Sequence, residues 1–82
     1  MRLPRDLSGH DLAKMLRRYG YEVVRQTGSH VQLKSSLRGA DHHITVPAHK
    51  TLKVGTLSGI ISGVATYLEM DRSQLAEELF GP

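Results

Sequence analysis

The stretch Arg25-Gln26-Thr27-Gly28-Ser29-His30-Val31-Gln32-Leu33-Lys34 decides how this chain folds. A β-prone segment enters a tight Gly-Ser turn, and apolar and polar residues alternate strictly after it. This pattern predicts a β-hairpin whose strands are residues 21–26 and 30–35. The turn delivers His30 to the first position of the second strand. Histidine both takes and gives a proton near neutral pH, so His30 is the first candidate for chemistry.

A third strand follows the hairpin. Residues 36–41 contain a glycine and indicate a loop, and residues 43–47 alternate again. The simplest antiparallel register predicts three pairs: Leu33 with Ile44, Lys34 with His43, and His30 with Pro47. This register gathers the apolar side chains on one face, as a half-buried sheet requires. The other face is then polar and carries His30, Gln32, Lys34, His43 and Thr45.

The segment before the hairpin predicts an amphipathic helix over residues 7–20. Ser8 is a favourable N-cap, Asp11 stands three positions later as in a capping box, and Gly20 suits a left-handed C-terminal residue. Apolar residues recur at helical spacing and form one buried stripe: Leu12, Met15, Leu16 and Tyr19. Three basic residues fall on the opposite side, where they are either solvated or in contact with a nucleic-acid backbone: Lys14, Arg17 and Arg18.

A second helix is predicted to open at Gly55 or Thr56. Its apolar stripe consists of Leu57, Ile60, Ile61, Val64 and Leu68. Gly59 and Gly63 are spaced four residues apart, so they line one side of the helix. We expect this side to permit the close approach of a neighbouring backbone.

A last short helix is predicted after Asp71, which caps it with Gln74 as a capping-box partner. Gly81-Pro82 stops this helix. The complete order is helix, three antiparallel strands, helix and short helix. This order predicts an α+β fold in which helices cover one face of the sheet.

Charge is distributed unevenly along the 82 residues, a length that fits one domain, 1–82. Eleven Lys and Arg against eight Asp and Glu give a net charge of +3. Half of the acidic residues lie in the last fourteen positions: Glu69, Asp71, Glu77 and Glu78. The preceding part is therefore clearly basic, which favours nucleic acid as a partner because phosphate contacts supply most non-specific affinity.

Cysteine is absent, so disulfides and thiolate metal sites do not support the fold. This composition is compatible with a reducing cytoplasm, where we expect the protein to act. No apolar run approaches the roughly 20 residues of a membrane span. The segment Met1-Arg2-Leu3-Pro4-Arg5-Asp6 has no apolar region like that of a signal peptide. We expect no membrane partner.

His30 has a functional and a structural interpretation. In RNA, the 2′-hydroxyl attacks the neighbouring phosphorus once a base removes its proton. Proton transfer of this kind raises the reaction rate by about 100- to 10,000-fold. Gly28 in the turn lets the backbone approach a substrate, and free amide groups there can bind a phosphate oxygen. The alternative is an exposed histidine at a strand end with no chemical role.

Basic residues near this position are candidate phosphate contacts: Arg25, Lys34, Lys50 and Lys53. Each alone is more often a solvated surface charge, and the set gains weight because it would border one exposed sheet face. The chain has four aromatic residues, and Tyr19, Tyr21 and Phe80 are expected in the core. Readout by base stacking is therefore not indicated.

Metal binding is disfavoured, and no cofactor is expected. His42, His43 and His49 raise the question of a metal, but neighbouring residues on a strand point to opposite faces, so His42 and His43 do not chelate together readily. A nucleophile pair formed by Ser29 and His30 is disfavoured for the same reason, and no aspartate stands at a suitable position.

These segments together resemble the HicA family of toxins, also called YcfA-like proteins. The residues that carry the resemblance are Ser8-Gly9, Leu12 through Gly20-Tyr21, Arg25-Gln26, Gly28-Ser29-His30, Val46-Pro47 with His49, and Gly55-Thr56-Leu57 with Ile60. The resemblance covers residues 7–68, and residues 69–82 form a helical extension beyond it. His10 stands where the family often has a lysine.

The resemblance implies a double-stranded-RNA-binding-domain-like fold, α-β-β-β-α, with a three-stranded antiparallel sheet packed against two helices. It implies an mRNA interferase, an endoribonuclease with His30 as its catalytic residue. Because metal binding is disfavoured, we expect this activity to be metal-independent. It also implies a HicB-like antitoxin that covers the site. Candidate RNA-binding residues are Arg25, Gly28, Ser29, Lys34, His43, His49, Lys50 and Lys53.

Three interpretations remain open from the sequence. The first is a toxin that cleaves mRNA with His30, helped by His43, His49 or Lys34 at the leaving group or in neutralising charge. The second is a non-catalytic RNA-binding module, and the third is a degenerate toxin that binds only its antitoxin. The free protein is expected to be a monomer or a dimer.

Overall fold

The computed structural model describes residues 2–81, and Met1 and Pro82 lie outside the described part. The element order is the predicted one. The bounds are α1 Gly9–Leu16, a 3-10 turn Arg17–Tyr19, β1 Glu22–Thr27, β2 His30–Ser35, β3 His42–Pro47, α2 Val54–Leu68 and α3 Arg72–Phe80. The predicted α+β fold of the α-β-β-β-α type, with one further helix, is confirmed.

The ends of α1 follow the local chemistry of the sequence. The Asp11 amide donates a 3.1 Å hydrogen bond to Ser8 Oγ, which satisfies one of the free N–H groups of the first turn. Gly20 adopts a left-handed conformation with φ of +84° and ends the 3-10 turn. The chain then enters β1, with the Tyr21 amide bonded to the Leu16 carbonyl.

The three strands form an antiparallel meander in the order β1-β2-β3. The predicted register between β2 and β3 is confirmed at its three pairs: Leu33 with Ile44, Lys34 with His43 and His30 with Pro47. Between β1 and β2 the register shifts at Val24, an extra residue that forms a β-bulge. The pattern of apolar and polar residues in β1 did not predict this bulge.

The core lies between the sheet and the helices. Fully buried apolar residues come from the three helices and from two of the strands: Leu12 and Leu16 of α1, Val31 and Leu33 of β2, Val46 of β3, Leu57, Ile61 and Val64 of α2, and Leu75 of α3. All six residues of β1 are exposed. Met15 and Ile60, predicted within the buried stripes, are only partly buried at its margin. Ser35 is also buried, and its hydroxyl donates to the Tyr19 carbonyl at 2.8 Å.

Helix α3 packs on this core. The Gln74 amide donates to Asp71 Oδ2 at 3.2 Å, as the predicted cap requires, while the Gln74 side chain bonds Glu78 instead of closing a capping box. Tyr19 Oη donates to Glu78 Oε1 at 2.5 Å, and Arg18 donates to the Glu78 carbonyl at 2.9 Å. These bonds join the last helix to the end of the first. Of the predicted stop, Gly81 is described, and Pro82 lies outside the described residues.

The predicted close backbone approach at Gly59 and Gly63 is wrong. A Cβ at either position would meet nothing within 4 Å, because that side of α2 is open. Among the described glycines, the shortest such distance is at Gly9, where a Cβ would lie 1.9 Å from the Pro47 carbonyl oxygen. Helix α2 also begins one residue earlier than predicted, at Val54, because the extended Lys53 serves as its N-cap residue without a side-chain hydrogen bond.

Candidate functional site

His30 is exposed at the start of β2, on the sheet face that the helices leave uncovered. Val31 and Leu33 of the same strand are buried toward the helices, so alternation turns His30 and Gln32 the other way. Gly28 in the preceding turn has φ of +56°, a conformation that glycine adopts at little cost. The turn thus presents His30 to solvent at the edge of an open surface.

The backbone around His30 is fixed by the connector that follows β3. The Ala48 amide donates a 2.6 Å hydrogen bond to the Ser29 carbonyl, and Pro47 pairs with His30 across the sheet. His49 therefore lies on a segment that is hydrogen-bonded to the turn. The next candidate, Lys50, is exposed on the same connector.

The start of α1 completes this end of the molecule. The Gly9 amide donates to the His49 carbonyl at 3.0 Å, and the Leu52 amide donates to the Leu7 carbonyl at 2.8 Å. Because Gly9 has no side chain, the helix can approach the Pro47 carbonyl closely. Three segments therefore meet here: the β1–β2 turn, residues 47–52 and the first turn of α1.

The other candidate residues lie along the open face or beyond it. Arg25 on β1 pairs with Gln32, and Lys34 pairs with His43. Lys34 is four positions from His30, or about 13 Å along the strand. Lys53 is the N-cap residue of α2. The structure thus brings His49 and Lys50 to the end of the sheet that carries His30, and it places Lys34 and His43 at the opposite end.

Sequence comparison identifies the family. A model described as the HicA toxin of bacterial toxin-antitoxin matches residues 9–64, which span α1, the whole sheet and most of α2. The chain belongs to the HicA toxin family. The match includes the turn with His30 and the connector with His49, and it leaves α3 outside. Searches of curated proteins and of solved structures found no match.

Lys34 is partly neutralised in this HicA-family chain. Its ammonium lies 3.9 Å from Asp41 Oδ2. The Ser36 hydroxyl donates to Asp41 Oδ1 at 2.5 Å, and this hydrogen bond, followed by the charge of Lys34, lowers the pKa of Asp41. The other ion pair within residues 2–81 joins Arg38 to Glu69. Arg25, Lys50 and Lys53 therefore have no acidic partner in the described part of the chain.

His42 is a partly buried residue of this HicA-family chain that the sequence analysis considered only as a metal ligand. Its ring stacks on Tyr67 with a centroid distance of 4.8 Å, and its Nδ1 lies 2.7 Å from Tyr21 Oη. Burial lowers the pKa of His42, and the neighbouring His43 lowers it further. The available signal was the alternation of β3, which puts His42 on the same face as Ile44 and Val46.

Tyr67 also fixes the loop between β2 and β3. Its hydroxyl donates to the Ala40 carbonyl at 2.5 Å and accepts from the Arg38 amide at 3.0 Å. The loop bears Asp41, the partner of Lys34.

Residues 2–81 contain neither a candidate metal centre nor a candidate membrane span. No group of three or more His, Asp or Glu side chains there is arranged to hold a metal ion. No helix in that range is long and apolar enough to cross a membrane.

Proposed function

We propose that this chain is the toxin of a type II toxin–antitoxin pair and that it cleaves mRNA with His30 as the proton-transfer group. The observation that carries the proposal is the exposure of His30 on a turn whose backbone is held by the 2.6 Å Ala48–Ser29 hydrogen bond. A general base must be accessible to substrate and fixed in orientation. Membership of a toxin family supplies the biological setting.

Every bond and proton in the proposed reaction is accounted for without a metal ion. His30 takes the proton of a ribose 2′-hydroxyl, and the 2′-oxygen attacks the adjacent phosphorus. The bond from phosphorus to the 5′-oxygen of the next nucleotide breaks, which leaves a 2′,3′-cyclic phosphate. The departing 5′-oxygen needs a proton, and His49 is the proposed donor because its connector is hydrogen-bonded to the turn that carries His30.

RNA is proposed to run along the open sheet face. The amides of Gly28 and Ser29 are suited to a phosphate oxygen at the reacting centre. Phosphates on either side are proposed to contact Arg25, Lys34, His43, Lys50 and Lys53. Lys34 and His43 stand about 13 Å from His30 along the strand, so contact with a flanking nucleotide suits them better than proton transfer at the same phosphorus. We propose the cytoplasm as the site of action and a HicB-like antitoxin as inhibitor.

A non-catalytic RNA-binding module is the second candidate function. The exposed cations Arg25, Lys50 and Lys53 favour it, because they lack acidic partners in residues 2–81 and would bind phosphates whether or not His30 transfers a proton. In this case RNA affinity would depend on salt, and no strand would be cut.

The test compares the wild type with His30→Ala on a single-stranded RNA oligonucleotide in EDTA. His10→Ala is the matched control, because it removes an exposed histidine of α1 that has no proposed contact with RNA. We expect wild type and His10→Ala to cut and His30→Ala to be at least 100-fold slower. A substrate with 2′-deoxyribose at the cleavage position should not be cut, because it lacks the attacking 2′-hydroxyl. Circular dichroism verifies folding.

Two outcomes would reject the proposal. RNA binding by the wild type without any cleavage would favour the binding module. Equal cleavage by wild type and His30→Ala would assign the chemistry to another residue.

A further inference from the structure

A groove runs between α1 and β1 on the helix side of the sheet, away from His30. Its volume is about 480 Å³. Lys14 and Arg17 line it on the α1 side, and Glu22, Val23 and Gln26 of β1 form the facing wall. None of the proposed catalytic or RNA-binding residues lines this groove.

The wall formed by β1 is an unpaired sheet edge. Strand β1 pairs only with β2 within residues 2–81, so its outward N–H and C=O groups lack a strand partner there. The edge is also apolar, since Val23 is 56% exposed and Val24 is 51% exposed. A free edge with exposed apolar side chains is the feature to which an extended peptide adds as a further strand.

The opposite wall is basic. Lys14 and Arg17 belong to neither ion pair found in residues 2–81, and Glu22 is the one acidic side chain in the groove lining. An occupant that satisfies both walls combines carboxylates with apolar side chains. RNA fits poorly, because its sugar–phosphate backbone has no alternating N–H and C=O groups to pair with the free edge of β1.

We propose that this groove binds an extended acidic–apolar segment of a protein partner, which adds to β1 as a fourth strand. Carboxylates of the segment pair with Lys14 and Arg17, and its apolar side chains cover Val23. The identification of that partner as the antitoxin rests on the proposed function. The groove and His30 are on opposite faces of the sheet, so this segment anchors the partner without itself covering His30.

The experiment titrates the full ¹⁵N-labelled chain with a synthetic eight-residue peptide in which Glu and Val alternate. A peptide in which Lys replaces Glu is the probe control. We expect amide shifts concentrated in residues 10–17 and 22–26 with the Glu peptide and none with the Lys peptide. The Lys14→Glu/Arg17→Glu variant should bind at least tenfold more weakly. Arg2→Glu/Arg5→Glu, an equal charge change outside the groove, should bind like the wild type.

A second variant separates the groove from the proposed catalysis. Val23→Thr preserves the β-branched shape while removing apolar surface, so we expect it to weaken peptide binding and to leave RNA cleavage at the wild-type rate. His30→Ala should bind the peptide normally. If the wild type cuts no RNA but binds the peptide at the groove, the proposed function fails and this inference stands.

Three results would overturn the inference. The first is the absence of shifts at residues 22–26 with the Glu peptide. The second is unchanged affinity in Lys14→Glu/Arg17→Glu. The third is an oligouridine that shifts the same amides and displaces the peptide, which would assign the groove to RNA.

Discussion

Gly9 contacts the carbonyl oxygen of Pro47 so closely that a Cβ on Gly9 would lie 1.9 Å from it. The obstacle is backbone, which cannot rotate away as a flexible side chain can. The helix start and the end of β3 are therefore joined at a distance that only glycine allows. This contact adjoins the 2.6 Å Ala48–Ser29 hydrogen bond behind His30.

Gly9→Ala is therefore expected to destabilise the fold by about 3 kcal/mol, because overpacking forces the backbone apart. Gly59→Ala is the matched control, since a Cβ there meets nothing within 4 Å. Alanine favours the helix by about 1 kcal/mol, so this control should be neutral or stabilising. Denaturant midpoints measure both variants, and equal midpoints would contradict the close contact at Gly9.

Leu16→Ala and Ile61→Ala should each cost roughly 2–5 kcal/mol, because both side chains are fully buried and truncation leaves a cavity. Leu37→Ala makes the same chemical change at a side chain that is 58% exposed. It should stay within about 0.5 kcal/mol of the wild type. If the three variants had similar urea midpoints, the assignment of Leu16 and Ile61 to the core would be wrong.

Stability should fall in alkali. Burial and the hydrogen bond to Glu78 raise the pKa of Tyr19 to about 12, and burial followed by Tyr67 raises the pKa of Tyr21 to about 12. The folded chain thus holds these protons more tightly than the unfolded chain, in which the tyrosine pKa is about 10. The two tyrosines therefore contribute fully to the folding stability below a pH of about 10, and this contribution is lost as the pH rises toward 12.

Urea midpoints measured at pH 9, 10 and 11 test this prediction. The Tyr19→Phe/Tyr21→Phe variant should show a smaller decline than the wild type between pH 10 and 11. An identical slope in both proteins would show that other groups control alkaline unfolding.

Stability should also fall in acid through His42. Burial, and then His43, lower the pKa of His42, so the folded chain binds this proton less tightly than the unfolded chain does. The contribution is complete above the ordinary histidine pKa of about 6.5 and is lost as pH falls through the lowered value. In the protonated ring Nδ1 is a donor, so Tyr21 Oη, 2.7 Å away, could then act only as the acceptor of this bond.

Thermal unfolding at pH 7 and at pH 5 measures the His42 effect. His42→Phe retains an aromatic ring beside Tyr67 and cannot be protonated, so its pH dependence should be smaller than that of the wild type. His10→Gln removes an exposed histidine and should retain the wild-type dependence. If His10→Gln and His42→Phe behave alike, the acid sensitivity does not come from the packed ring.

RNA affinity should rise when Lys34 loses its acidic partner. Asp41→Asn removes the carboxylate 3.9 Å from the ammonium. Exposed pairs of this kind are weak, so we expect roughly a two- to fivefold gain in affinity for single-stranded RNA at low salt. Glu77→Gln changes the net charge equally from α3. An equal gain in both variants would indicate a general charge effect instead of contact at Lys34.

The regular parts of this fold were predictable because their signals are local. Alternation specifies the β2–β3 register, since a slip by one residue would turn Leu33 and Ile44 to solvent. The Ser8 and Asp71 caps and the Gly20 stop act within one turn of helix. The two-residue alternation of β2 also predicted that His30 lies on the open face of the sheet.

The missed features depend on contacts between distant segments. The sequence predicted close packing at Gly59 and Gly63, yet the close backbone contact is at Gly9, because only the fold brings Pro47 there. The bulge at Val24 interrupts the pairing without changing the composition of the strand. The interpretation of His42 as a possible ligand overlooked Tyr67, which lies on another element and stacks on its ring.

The hydrogen bond from the Gly9 amide to the His49 carbonyl has a consequence for the order of folding, because all three strands lie between these two residues in the chain. The meander can form from neighbouring segments, whereas this bond closes a long loop and carries a larger entropic cost. The contact between α1 and the connector is thus expected to form after the hairpins and to open before them. Hydrogen exchange at the Gly9 amide would then report how often the contact between α1 and the connector opens while the sheet remains intact.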